Sequence, residues 1–216
     1  IRDRLLTELN KKVAKSKFNA VDFCSLLKCP EGYKYTINHN EKEFPVALLY
    51  GTWSVSYIKK LILGENWDDA FEKKEILSVL EKYRTGDGLF YPKQLNNIKF
   101  GKSTEYMKLH CYNYSVGAAI EIDSDFDFQS KYMDKYLDSD FLQRWLDQRS
   151  LLRPWEESNN IVNVASYLAL CNDNGNSKGA ERLYQMLDWH NKNQNPLTGG
   201  FENFNSLSKK NILESM

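Results

Sequence analysis

Hydrophobic positions recur along this chain mostly at three- and four-residue steps, the period of an α-helix rather than a strand. Residues 1–15 carry Leu5, Leu6, Leu9 and Val13 in one stripe, and residues 19–27 predict a shorter second helix with Asn19 or Asp22 as its cap. Cys29 to Glu43 reads as a loop rich in Gly, Tyr, Asn and Pro, with a short hairpin around Tyr33, Lys34 and Tyr35. The segment Phe44–Leu63 is apolar around most of its circumference and predicts a helix buried on several sides, with Pro45 in its first turn and Gly64 past its end. Gly51, Thr52, Ser54 and Ser56 interrupt it, which points to close helix contacts or a lined cavity. Asp68–Arg84 is the opposite type: Ile76, Val79, Leu80 and Tyr83 form one stripe and the rest is Glu and Lys, so a surface helix is expected. Ser103–Ile122 and Asn159–Cys171 repeat the buried type. Ser130–Asp138, Asp140–Arg149 and Lys178–Lys192 are amphipathic, and residues 85–102 and 151–158 read as loops.

The order of these segments is a diffuse repeat. Buried helices start near Phe44, Ser103 and Asn159, roughly 55 to 60 residues apart, with one or two amphipathic helices in each cycle. Two loops resemble each other: Asp87-Gly88-Leu89-Phe90 and Gly199-Gly200-Phe201 each follow a surface helix, turn on glycine and return an aromatic side chain to the core. With the small-residue inner helices at Trp53–Ile58, Tyr114–Ala119 and Asn163–Leu168, these loops carry a resemblance. From Phe44 to Phe204 the chain resembles the α/α-toroid proteins: the prenyltransferase and terpene-cyclase repeat proteins and the six-hairpin glycosidases and lyases. The resemblance implies an all-α fold of helical hairpins in an α/α-toroid-like arrangement, or partial barrel, over residues 44–216, with residues 1–43 as N-terminal helices and a loop packed on the core. Fewer hairpins are present than a closed ring needs, so an open arc or a piece of something longer is expected. The start at Ile1 without Met and the uncapped helical composition at Met216 are read the same way. The zinc ligands of the prenyltransferases have no counterpart here. Asp123, Asp125 and Asp127 do not have the spacing of the cyclase acid motif, so neither activity is carried over.

Composition narrows the classes. Lys plus Arg number 29 and Asp plus Glu 29, so the net charge is zero, which argues against a coat for nucleic acid or for an anionic membrane. No apolar run reaches the length of a membrane-crossing helix. The four cysteines, Cys24, Cys29, Cys111 and Cys171, are scattered without metal-ligand spacing. Cys111 and Cys171, in apolar helical stretches, read as small hydrophobes, which favours a reducing, cytoplasmic setting. Phosphate-binding glycine loops, nucleophile elbows and His-Glu zinc motifs are missing from the sequence. Asp123, Asp125, Asp127 and Asp134 fall on calcium-loop positions, but Phe128 stands where that loop requires Gly. No metal and no cofactor is expected.

The densest candidate chemistry is Arg153-Pro154-Trp155-Glu156-Glu157-Ser158-Asn159, just before a buried helix. Arg153 can clamp an anionic group, Trp155 can stack on a sugar or another flat ligand, and Asn159 can bind it. Glu156 or Glu157 can serve as general acid or base where burial or a neighbouring charge tunes it. The same residues also read as helix-start hardware: Ser158 or Asn159 as N-cap, Glu157 as first-turn acid, Trp155 as hydrophobic staple. His110 and Tyr114, four apart, share a helix face and line either a pocket or the core. His39 reads as solvated and His190 as a helix-end residue. Asp87 and Glu202 can each present a carboxylate from a turn, the pairing that glycoside hydrolysis uses, or can simply be solvated turn acids. The expected function is therefore a carbohydrate-processing or carbohydrate-binding domain, its small-molecule or glycan ligand at the mouth of the inner helices. The alternative is a non-catalytic interaction or regulatory domain that binds a peptide, a protein partner or the rest of a longer chain.

Overall fold

The computed structural model describes residues 2–37, 46–92, 104–122, 125–149 and 154–194, and they are mainly helical, as an all-α chain requires. The chain opens with α1, Arg2–Leu26, one continuous helix where two were expected; nothing between Lys15 and Asn19 is a breaker, so the first helix runs through. A two-residue antiparallel hairpin follows, β1 (Lys28–Cys29) with β2 (Gly32–Tyr33), slightly ahead of its expected place. Then come α2 (Ala47–Leu63), α3 (Ala70–Lys82), α4 (Thr104–Glu121), α5 (Ser139–Asp147), α6 (Pro154–Asp173) and α7 (Ser177–Asn193). Asp69, Asp138 and Asn176 cap α3, α5 and α7 by accepting from backbone N–H groups of the first turn, at 2.9, 2.7 and 3.2 Å. The expected helix over 130–138 is only a short 3₁₀ turn, Asp134–Leu137, because Asp138 turns extended to start α5.

Contacts divide the chain into two units. The first is Ile1–Phe100 with Tyr114–Phe128; the second is Gly101–Asn113 with Gln129–Met216. In the first unit α2 is the central element: Leu48, Leu49, Trp53 and Val55 are buried. Two of its polar interruptions are satisfied within the helix, Thr52 donating to the Leu48 carbonyl at 2.7 Å and Ser56 to the Thr52 carbonyl at 2.9 Å. Gly51 is the place of closest approach. A Cβ there would lie 2.2 Å from the Tyr33 carbonyl oxygen, so only glycine lets the hairpin strand lie against α2. The small residues thus serve close packing. Trp53 donates its indole N–H to Ser115 at 3.0 Å and stacks on Tyr114 at 5.2 Å, which joins α2 to the second half of α4. Residues 84–90 close a turn on Gly88 at φ 80°, and Arg84 lies over the Phe90 and Phe126 rings while pairing with Asp127 at 2.9 Å.

The second unit is built on the α6–α7 hairpin. Gly179 permits it: a Cβ there would stand 2.3 Å from the Leu168 carbonyl oxygen and 2.6 Å from the Asn172 nitrogen. Val164, Tyr167, Leu168, Met186 and Trp189 are buried with Leu142, Trp145 and Leu146 of α5. Tyr112 meets Tyr167 edge to face at 5.8 Å, which brings the first half of α4 to α6.

Candidate functional site

The start of α6 differs from the sequence expectation. The helix begins at Pro154, whose fixed φ and missing N–H suit a first helical position. Trp155, Glu156, Glu157 and Ser158 are therefore helical rather than loop residues, and neither Ser158 nor Asn159 is an N-cap. Both lie inside the helix and donate back to the Trp155 carbonyl, at 3.2 and 2.6 Å. Arg153 and Glu202 fall outside the described residues, as do His39 and the Gly199-Gly200-Phe201 turn, and so does the side chain of Glu156.

Glu157 points toward α4 and α5. Arg149, at the end of α5, places one guanidinium nitrogen 3.1 Å from Glu157 and 3.4 Å from Glu105 of α4, with its side chain only 11% exposed. The same guanidinium lies 4.5 Å over the Trp145 ring and donates through Nε to the Trp145 carbonyl at 3.0 Å. Glu105 also accepts from the Tyr136 hydroxyl and the Trp145 indole N–H, each at 3.1 Å. Sequence reasoning missed Arg149, Glu105, Tyr136 and Trp145, which come from three separate stretches of chain. The signal open to it was the pair of acids, Glu105 and Glu157, each at the head of an apolar helix and each needing a cation.

Along α6, steps of four residues place Trp155, Asn159, Asn163 and Tyr167 in one line. Trp155 is 73% exposed, Asn159 half-buried, Asn163 2% and Tyr167 2% exposed. Tyr167 donates to Asp134 at 2.5 Å, and burial first, then that carboxylate, drives its hydroxyl far above the usual phenol range. Asn160, beside this line, is 1% exposed and donates to Glu157 at 3.5 Å. Its Oδ1, and the Nδ2 of Asn163, have no hydrogen-bond partner among the described residues. One is an acceptor and the other a donor, one helical turn apart. Leaving such groups unpaired costs roughly 1–3 kcal/mol each.

The remaining candidates are not gathered here. His110, on the first half of α4, stacks on Tyr106 at 5.4 Å, and Tyr114 stacks on Trp53 in the first unit, so each has its own aromatic partner. Asp87 accepts from the Thr85 hydroxyl inside its own turn. Among the described residues no cluster of His, Cys, Asp or Glu could hold a metal ion, and the four cysteines are free thiols. No described helix is long and apolar enough to cross a membrane.

The first unit holds a second buried cluster, on a helix read as a surface helix. Glu72 of α3 is 6% exposed and receives Lys59 of α2 at 2.5 and 2.6 Å, the Trp67 indole at 3.1 Å and the Tyr33 hydroxyl. Burial alone would raise its carboxyl. The hydrogen bonds from Lys59 and Tyr33 more than reverse that and hold it below the ordinary carboxylate range.

No family model, curated protein or solved structure matches this chain.

Proposed function

We propose that this chain is a carbohydrate-binding helical domain of the α/α-toroid type, with α2, α4 and α6 as its inner helices and the ligand received over the first half of α6. The observation that carries the reading is the line Trp155–Asn159–Asn163 with Asn160 beside it, which leads from an exposed indole to two buried amides, the Asn160 acceptor and the Asn163 donor unmatched among the described residues. A pyranose offers both counterparts: an apolar ring face for the indole, and hydroxyls that each donate and accept. Asn160 Oδ1 and Asn163 Nδ2 are shielded in the free protein, so side chains at the start of α6 must move for a hydroxyl to reach them. Binding fits this arrangement better than processing. Glu157 spends Oε2 on Arg149 and Asn160, which fixes the head of α6 rather than presenting a proton to a leaving group. The free thiols fit a reducing, cytoplasmic setting.

Titration calorimetry with neutral and acidic oligosaccharides tests the reading. Trp155→Ala is expected to abolish binding and Asn163→Ala to weaken it at least about tenfold, the loss of one good hydrogen bond in a desolvated site. Wild-type affinity in Trp155→Ala, or a wild-type chain that binds no saccharide, overturns it. A second reading, a partner-binding domain, is favoured by α1, where Leu6, Leu9 and Val13 are 47%, 55% and 46% exposed along one stripe. It is upheld if Leu9→Glu abolishes a protein association that saccharides leave untouched.

A further inference from the structure

The two ends of α1 have different surroundings. Its last turns pack on α2, with Cys24 and, just past the helix end, Leu27 buried. Residues 6–16 are helical yet exposed on every side. Thr7, Asn10, Val13 and Ser16 in that stretch are middling helix formers, and a helix of this length in water draws most of its stability from packing one face. Such a face is present and uncovered: Leu6, Leu9 and Val13, spaced three and four apart, are all exposed. Its width and its charge decide what would cover it. Two apolar positions in each heptad make a narrow seam, the width of one facing helix. A helix that lies in a membrane surface needs a broader apolar face carrying large side chains. Asn10 and Lys12 border the seam, and Lys11 and Lys15 extend a basic flank against Glu8 alone. A second copy would bring the same positive charge to the same place, so two α1 helices repel. Carboxylates beside the apolar seam of a different helix would attract, as flanking charges select partners between helices.

We propose that α1 is the docking helix for an acidic amphipathic helix of another protein, whose apolar side chains meet Leu6, Leu9 and Val13 and whose carboxylates lie beside Lys12. The inference rests on the partner-binding reading and narrows it to one partner chemistry. The experiment uses the whole chain and two fluorescent peptides, each about four heptads long, with Leu at both seam positions of every heptad. One peptide carries Glu at the positions that border the seam, and the other carries Lys. Fluorescence anisotropy is expected to show saturable binding of the Glu peptide, at least about tenfold tighter than the Lys peptide and weakened by added salt. Leu9→Glu should abolish that binding and Lys12→Glu should weaken it. Both side chains are exposed, so the urea midpoint of each variant should stay that of the wild type and show that the fold is kept. Equal binding of both peptides, lost in Leu9→Glu, keeps α1 as a partner surface and overturns the acidic partner. Binding of neither peptide overturns the partner-binding reading along with the proposal. Glu-peptide binding that survives Leu9→Glu lies elsewhere and overturns the proposal. So does a Leu9-dependent dimer in sedimentation, which assigns the face to a second copy, or Leu9-dependent binding to phosphatidylserine vesicles without peptide binding, which assigns it to a membrane.

Discussion

The two buried charge clusters of this chain are built alike and differ in what they leave over. In the first unit, Lys59, Tyr33 and Trp67 all converge on Glu72, and both carboxylate oxygens are occupied. In the second, Arg149 is shared between Glu105 and Glu157, and the amides beside Glu157 keep an unmatched acceptor and an unmatched donor. A saturated network stabilises one arrangement and offers nothing to a ligand. A network with spare capacity costs stability and retains the means to bind. Burial of charge is therefore not what marks a site; incomplete pairing is.

The largest effect is expected where the closed cluster is broken. Lys59→Met leaves the Glu72 carboxylate buried without its cation and should lower unfolding stability by about 3–5 kcal/mol, read from urea denaturation. The pH dependence has a definite sign. Glu72 has a lower pKa folded than unfolded, so its contribution is present above the unfolded value and is lost as pH falls through the folded one. Glu72→Gln should remove that acid-side loss. An unchanged acid midpoint in Glu72→Gln would mean that the cluster does not set acid stability. Next in size is Gly51→Ala, whose Cβ would overlap the Tyr33 carbonyl at 2.2 Å. Backbone cannot yield as a side-chain tip can, so a loss of about 3 kcal/mol, the upper end of overpacking costs, is expected in the same assay.

These two positions show what could be read from the sequence and what could not. The apolar helices were legible because an apolar run with small residues has few other homes, and Gly51 announced a close contact without saying with what. Glu72 was misread because one acid among Glu and Lys residues has no local mark; its burial is decided by Lys59 thirteen positions earlier on another helix. The start of α6 was misplaced because Pro154 and the acids after it suit a loop and a first turn equally. Only the partnership of Glu157 with Arg149 and Glu105, drawn from separate helices, fixes the choice.

A smaller effect is expected when the open cluster is broken. Arg149→Met leaves Glu105 and Glu157 facing each other, but their side chains are 28% and 16% exposed and reach water more readily than Glu72. A loss of about 1–3 kcal/mol is expected, the range for an unsatisfied buried acceptor. Adding Glu157→Gln to Arg149→Met should recover part of it by removing the like-charge repulsion. A loss as large as that of Lys59→Met would show the second cluster to be as closed as the first, and the contrast would fall.

The smallest effect on stability should come from Trp155→Ala, and there the smallness is informative. At 73% exposed, the indole has little buried surface to lose, and a change at such a surface position is worth within about 0.5 kcal/mol. A staple that holds the head of α6 by its side chain would cost clearly more when truncated to Ala. Unchanged denaturation of Trp155→Ala, together with abolished saccharide binding, separates a ring kept in water for a ligand from one kept for the fold. A denaturation midpoint that drops with binding retained would assign Trp155 to the helix start and leave the buried amides of α6 without an entrance.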